Sequence, residues 1–268
     1  MGMLKSWLAG ACATLAWTGA LAEAHPFQAV LDKTCEQATS EQCSELKDAA
    51  AASPTLAHEL DELAGSNLLT AIYVVKDSSA SSLDGFLNAS YGDRSMTFTE
   101  NFLKHAVGEA ASDLVMPDRL TPNHLVFAMG HLARHLRLAP EMAELEKTRI
   151  AQLRAESRDA ADRHAPYDAT PWALKGMQIR MEEEASAWID GWNAMVEAAA
   201  VSNGGKPASL VQVSDMLSNF HYRPTIIQAI SSKADKAVID IRGMFARDDH
   251  NIAAFVAALK TSRRADVK

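Results

Sequence analysis

Three histidines, His124, His131 and His135, fall inside one segment, TPNHLVFAMGHLARHLR, residues 121–137. Their offsets of i, i+7 and i+11 place all three on one face of a helix. His131 and His135 stand one turn apart, the spacing at which two neutral imidazoles reach a single metal ion. Two nitrogens do not complete such a site. A carboxylate or a third histidine must join them, and the metal then lowers the pKa of a bound water and polarises a carbonyl. His124 shares the stripe but lies ~10 Å along the axis from His131 at 1.5 Å per residue, too far for one ion to be shared. The competing reading is that an apolar helix carries satisfied core histidines.

A carboxylate is available in a second long segment, TPWALKGMQIRMEEEASAWIDGWNAMVEAAAV, which predicts a helix from about Pro171 to Val201. Three glutamates, Glu182, Glu183 and Glu184, stand together there, and helical geometry separates their surroundings. Walking from Glu184 in steps of three and four meets Met177, Met181, Trp188, Gly191 and Met195, an apolar stripe that points this carboxylate inward. The walk from Glu183 meets Gly176, Arg180, Ala187, Asp190 and Ala194, which reads as a more polar, flanking face. A buried carboxylate must be paired or metal-bound, so Glu184 is either the third ligand or half of a buried ion pair. Asp190 is positioned to hold a ligand histidine from behind. Trp172, Trp188 and Trp192 read as core.

These two helices need a frame. Thr121 is placed to cap the histidine helix and Pro122 to occupy its first turn. The residues that follow are apolar on most faces, so the helix is expected to be buried. Upstream, residues 26–64 read as three short helices, with Ser40 and Ser53 as caps and Pro54 after the second. The HELDEL at 58–63 has no second histidine one turn on and carries no metal motif. LLTAIYVVKD (68–77) is the strongest strand candidate, and the alternation in SMTFT supports a second strand near 94–99. A helix capped by Thr99 then runs to about Leu114. A charged helix is expected over 140–164, and further helices over 208–219, 223–232, 233–247 and 249–261. The fold class is therefore mainly α with a small β-sheet, an α+β chain forming one domain over 25–268.

The first 24 residues, with Lys5, an apolar run and Ala22-Glu23-Ala24, read as a secretory signal peptide. The remainder, about 244 residues, can bury a sizeable core. The net charge of −8 is unchanged by that removal, since one lysine and one glutamate leave together. An acidic chain of this kind argues against nucleic-acid or anionic-membrane binding. No later stretch has the ~20 apolar residues of a membrane helix. The chain is expected to be exported, to a periplasm or outside the cell. In an oxidising compartment Cys35 and Cys43 are expected to form a disulfide that ties the first two helices. Their use as zinc ligands is less favoured, because their spacing is long and no other cysteine remains.

The order of these parts resembles zincin-type metallopeptidases: the strand TAIYVV, the turn and short strand YGDRSMTF, the buried His-x-x-x-His helix, then a helix carrying Glu-Ala-x-Ala. The resemblance spans about residues 68–225 and rests on short motifs. It implies a zincin-like helical domain with one zinc held by His131, His135 and Glu184, the last in Glu184-Ala185-Ser186-Ala187. It implies that the short strand is an edge holding a peptide or protein substrate, and that His221 or Tyr222 stabilises the oxyanion. The alternative for His221 and Tyr222 is a helix-end cluster before Arg223-Pro224. One departure is large. The position after the first histidine, where HExxH carries its general base, is Leu132. Either Glu183 or Glu100 takes that role, or the chain is a non-catalytic exported helical protein, a degenerate zincin or a partner-binding domain. A third reading is metal storage or sensing.

Overall fold

A computed structural model describes residues 25–76, 86–90, 92–106, 122–232 and 236–265; the expected signal segment and Thr121 lie outside them. Among the described residues the protein is mainly helical with one small mixed sheet.

Three helices open the fold: α1 (Pro26–Cys35), α2 (Ser40–Ala52) and α3 (Pro54–Gly65). Each start follows local chemistry. Thr39, one residue before the expected Ser40, caps α2 and shares a reciprocal capping box with Gln42. Ser53 accepts a hydrogen bond from the Leu56 N–H at the start of α3, with Pro54 in the first turn. The Cys35–Cys43 disulfide, with Cα atoms 5.1 Å apart, joins the end of α1 to α2.

The sheet has three strands, β1 (Ala71–Val75), β2 (Phe86–Ser90) and β3 (Ser95–Thr99), in the order β1-β3-β2. β3 runs parallel to β1 and antiparallel to β2. β2 has no counterpart among the expected strands. Its sequence, FLNAS, lacks β-branched residues and alternation, and only its pairing with β3 makes it a strand. β3 carries Met96 and Phe98 into the core and leads directly into α4 (Glu100–Ala106). Thr99 caps α4 through Phe102 N–H, as the sequence indicates. The continuation of that helix to Leu114 lies outside the described residues.

Two long helices follow, α5 (His124–Asp162) and α6 (Thr170–Ser202). Asn123 caps α5, its side chain accepting from Val126 N–H at 3.1 Å, so the helix starts later than Thr121 and Pro122 imply. α5 also corrects the expectation of two helices, one ending near Arg137 and another starting at Pro140. Pro140 sits inside one continuous helix. A single missing N–H bond is tolerated there because the flanking residues are good helix formers and α6 runs alongside.

The chain closes with α7 (Leu210–Asn219), α8 (Arg223–Ser231) and α9 (Asp249–Ala265). The helix expected over 233–247 does not form across its described part, 236–247. Asp240 accepts from the N–H groups of Arg242 and Met244, Ile239 and Phe245 make an antiparallel bridge, and Gly243 has φ +83°. Asp and Gly at these positions favour a turn over a helix. A side chain at 243 would also strike Val213, which a Cβ would approach to 2.6 Å.

The buried apolar residues form two clusters. One lies under the sheet and α1–α5; the other gathers α6–α9. They interlock at the central helix pair: Ala194 and Ala198 of α6 join the first, and Phe127 of α5 joins the second. Among the described residues no helix is long and apolar enough to cross a membrane.

Candidate metal centre

α5 and α6 run antiparallel and approach closely because each presents a glycine at the contact. A Cβ on Gly191 would lie 2.7 Å from the Phe127 carbonyl oxygen. One on Gly130 would lie 3.0 Å from the Ala194 side chain and 3.2 Å from Gly191 Cα. Only a helix bare at these points lets the backbones come so near. His131 and His135 follow Gly130 by one residue and by one further turn, so they are pressed onto the Glu183–Ala187 stretch of α6.

His131 Nε2 and His135 Nε2 face each other at 3.1 Å. The Glu184 carboxylate closes the triangle, with Oε2 3.3 Å from His135 Nε2 and Oε1 3.7 Å from His131 Nε2. His131, His135 and Glu184 therefore form a group that could hold a metal ion. One ligand atom from each residue can be chosen so that all three lie within 4.8 Å of one another, a spread that a small adjustment of the carboxylate closes to the ~3.3–3.4 Å edge of a tetrahedron with zinc bonds of about 2.0–2.1 Å. The His131 side chain is 6% exposed, His135 14% and Glu184 31%, so solvent reaches the group from the Glu184 side.

Each donor is oriented by a neighbour. Trp188 donates its indole N–H to Glu184 Oε1 at 3.0 Å, one turn along α6. His131 has a hydrogen-bonding interaction with the Ala187 backbone. Glu183 Oε1 lies 2.8 Å from His135 Nδ1. Glu183, read from the sequence as flanking, is the more buried of the two glutamates, 7% exposed. The face of Ala187, Asp190 and Ala194 that read as flanking lies at the helix contact, beside Gly191 of the inward stripe, because small side chains are what close packing requires. Glu183 is thus held on the opposite edge of the His135 ring from Nε2, where the sequence had offered it as a base for water at the metal. Glu100, the other candidate base, begins α4 and is not part of the group.

Charge is divided unevenly among these groups. Burial pushes His131 down to about 4 despite the nearby carboxylates. Burial acts the same way on His135, but hydrogen bonds to Glu183 and Glu184 overcome it and push this imidazole up to about 9. Glu184, raised by burial, is more strongly lowered by the two histidines and by Trp188, to about 2. The metal-free cluster therefore holds an imidazolium at His135 against an ionised Glu184 and a neutral His131.

The remaining candidates sit elsewhere. His124 is a clamp. Its Nε2 accepts the His221 backbone N–H at 3.1 Å, its ring stacks on Phe220, and it bonds the Ala106 backbone. Burial, with the charge of His221, keeps it neutral by lowering it to about 4. Tyr222 packs its ring against Phe127 and Trp188, both of which border His131. His221 is exposed beside it, its ring edge-on to Tyr222. Asp190 pairs with Arg134 and Arg247 and not with a histidine. β3 has a hydrogen-bonded partner on each side, so the outer edges of the sheet belong to β1 and β2.

Sequence reasoning passed over three contributors: Gly130, Gly191 and the Trp188 indole. Glycines inside otherwise strong helices were the available signal for the first two. Compared with protein-family models, with curated proteins and with solved structures, the chain matches none.

Proposed function

We propose that this protein binds one zinc ion through His131, His135 and Glu184 and acts as an exported, zinc-dependent hydrolase of peptide bonds. The observation that carries the reading is the convergence of two imidazole Nε2 atoms, 3.1 Å apart, on one carboxylate, whose Oε2 lies 3.3 Å from His135 and whose Oε1 lies 3.7 Å from His131. Two histidines and one glutamate, with access from one side, make a three-ligand set of the open, catalytic type, whereas structural zinc sites are closed by four protein ligands. Bound there, zinc would supply a water of lowered pKa and a Lewis acid for the scissile carbonyl. Tyr222 packs against Trp188, whose indole holds Glu184, and Tyr222 and the adjacent His221 are the groups to test as donors to an oxyanion. The disulfide fits an oxidising compartment, in keeping with export.

Leu132 favours a second reading, in which the site holds zinc without turnover. It is 3% exposed, and it stands where a base would be expected. The two readings separate in one experiment. Untagged protein is loaded with zinc, assayed by metal analysis and tested on an unstructured protein substrate with and without chelator. About one zinc per chain and chelator-sensitive cleavage support the hydrolase. Zinc without cleavage supports the second reading, and no stoichiometric zinc overturns both.

A further inference from the structure

We propose that Glu183 is a positioning residue of the metal centre, fixing His135 in the tautomer that offers Nε2 to the ion. The inference rests on the zinc reading above. An imidazole can present either nitrogen, and the nitrogen it presents is set by the hydrogen bond made at the other. In this site Glu183 Oε1 sits 2.8 Å from Nδ1, so Nδ1 carries the proton and donates it to the carboxylate. In the metal-free imidazolium Nε2 also carries a proton, toward His131 Nε2 and Glu184; an ion bound there would displace that proton alone and take the Nε2 lone pair, while Nδ1 keeps its own. The carboxylate is itself buried, 7% exposed, and its adjacent residue in the chain is the ligand Glu184. Consecutive helical positions diverge by about 100°. That divergence lets one α6 residue reach the outer nitrogen of the ring while the next reaches the inner one. The two glutamates thereby grip one imidazole from both edges.

Two consequences follow. Glu183 is held on the edge of the His135 ring away from the ion, so any hydrolysis at this site recruits its base from another residue or from substrate. The second carboxylate also raises the electron density on His135, strengthening the bond to the ion while offsetting part of its charge.

The test uses the zinc-loaded full chain, wild type and Glu183→Gln, with Glu184→Gln as the ligand control. In the wild type, long-range nitrogen–proton NMR correlations should show His135 protonated at Nδ1 and bound through Nε2. Glu183→Gln should keep its far-ultraviolet dichroism and lose zinc affinity by roughly 10- to 100-fold, the range for removing such an outer partner. Its cobalt-substituted form should show a changed visible spectrum. Glu184→Gln should lose more than Glu183→Gln. Zinc bound through His135 Nδ1 in the wild type overturns the proposal without any variant, and so does a Glu183→Gln affinity within twofold of wild type. A wild-type chain that binds no zinc overturns the zinc reading instead, and this inference with it.

Discussion

The two halves of α5 have the same secondary structure and opposite fates. From His124 to Leu136 nearly every residue is buried, whereas between Arg137 and Asp162 Ala160 alone is. α6 mirrors this: before Met181 only Gly176 is buried, and most of the helix's buried residues follow Met181. Past the crossing the pair therefore leaves the body as a two-helix arm. There it exposes Leu145, Leu174 and Met177, and polar ties bind the helices together: Arg149, held by Glu146 of its own helix, to the Trp172 carbonyl, and the Trp172 indole to Glu156. What differs is a third layer. The sheet and α1–α4 pack their core against the inner halves, as do α7–α9, whereas no buried apolar cluster among the described residues extends over the arm, which α9 meets through Lys260 on Gln178. His135, Glu183 and Glu184 sit where body becomes arm. That location explains a group both desolvated enough to shift its protons and open enough on the Glu184 side to admit solvent.

Breaking the inner half at its chemistry should have the largest effect. His131→Ala and His135→Ala are each expected to abolish stoichiometric zinc, read by metal analysis of dialysed protein. Breaking it at its packing comes next. Gly191→Ala places a methyl 2.7 Å from the Phe127 carbonyl, so the helices must separate. A loss of about 1–3 kcal/mol in denaturant unfolding is expected, as for other overpacked cores, together with weakened zinc binding.

The charge state of the inner half gives a pH prediction. His135 is held up at about 9, so zinc must displace a proton at neutral pH. Affinity should rise as pH is raised toward 9, by up to about tenfold per pH unit for one proton. Calorimetry in buffers of different ionisation heat reads the release. The zinc-free fold should run the other way. A raised imidazole contributes stability fully below its ordinary value of about 6.5 and loses it as pH climbs through about 9.

Smaller effects sharpen the contrast. Trp188→Phe removes the hydrogen bond to Glu184 and keeps an aromatic ring; a loss of about 0.5–1.5 kcal/mol in zinc binding is expected, the worth of one such bond. Leu145→Gln and Leu174→Gln in the arm should change stability by no more than about 0.5 kcal/mol, as exposed positions do. A thermal shift as large as that of Gly191→Ala would show that the arm is covered in solution.

Much of this was legible residue by residue. Periodicity marked α6, α9 and the apolar start of α5, alternation marked β3, and the presence of just two cysteines after the expected signal segment marked the disulfide. The misses share a cause: they are elements made by partners distant in sequence. β2 exists through β3, the 236–247 turn is held by Asn193, Trp192 and Asn251, and α5 continues through Pro140 alongside α6. The site divided the same way. His131, His135 and Glu184 were recoverable from helical spacing, because three donors on two amphipathic faces are a local pattern.

Which glutamate does what was not a local matter. Spacing along α6 places Glu183 and Glu184 about 100° apart whatever surrounds them, and it assigned the apolar stripe to the inside. The small-residue face proved equally buried, because two glycines let α5 lie against it. Side-chain types and their period determined that donors existed and on which helices. The distance between two helix axes, a quantity no single segment encodes, decided that Glu184 meets both inner nitrogens while Glu183 grips the outer one.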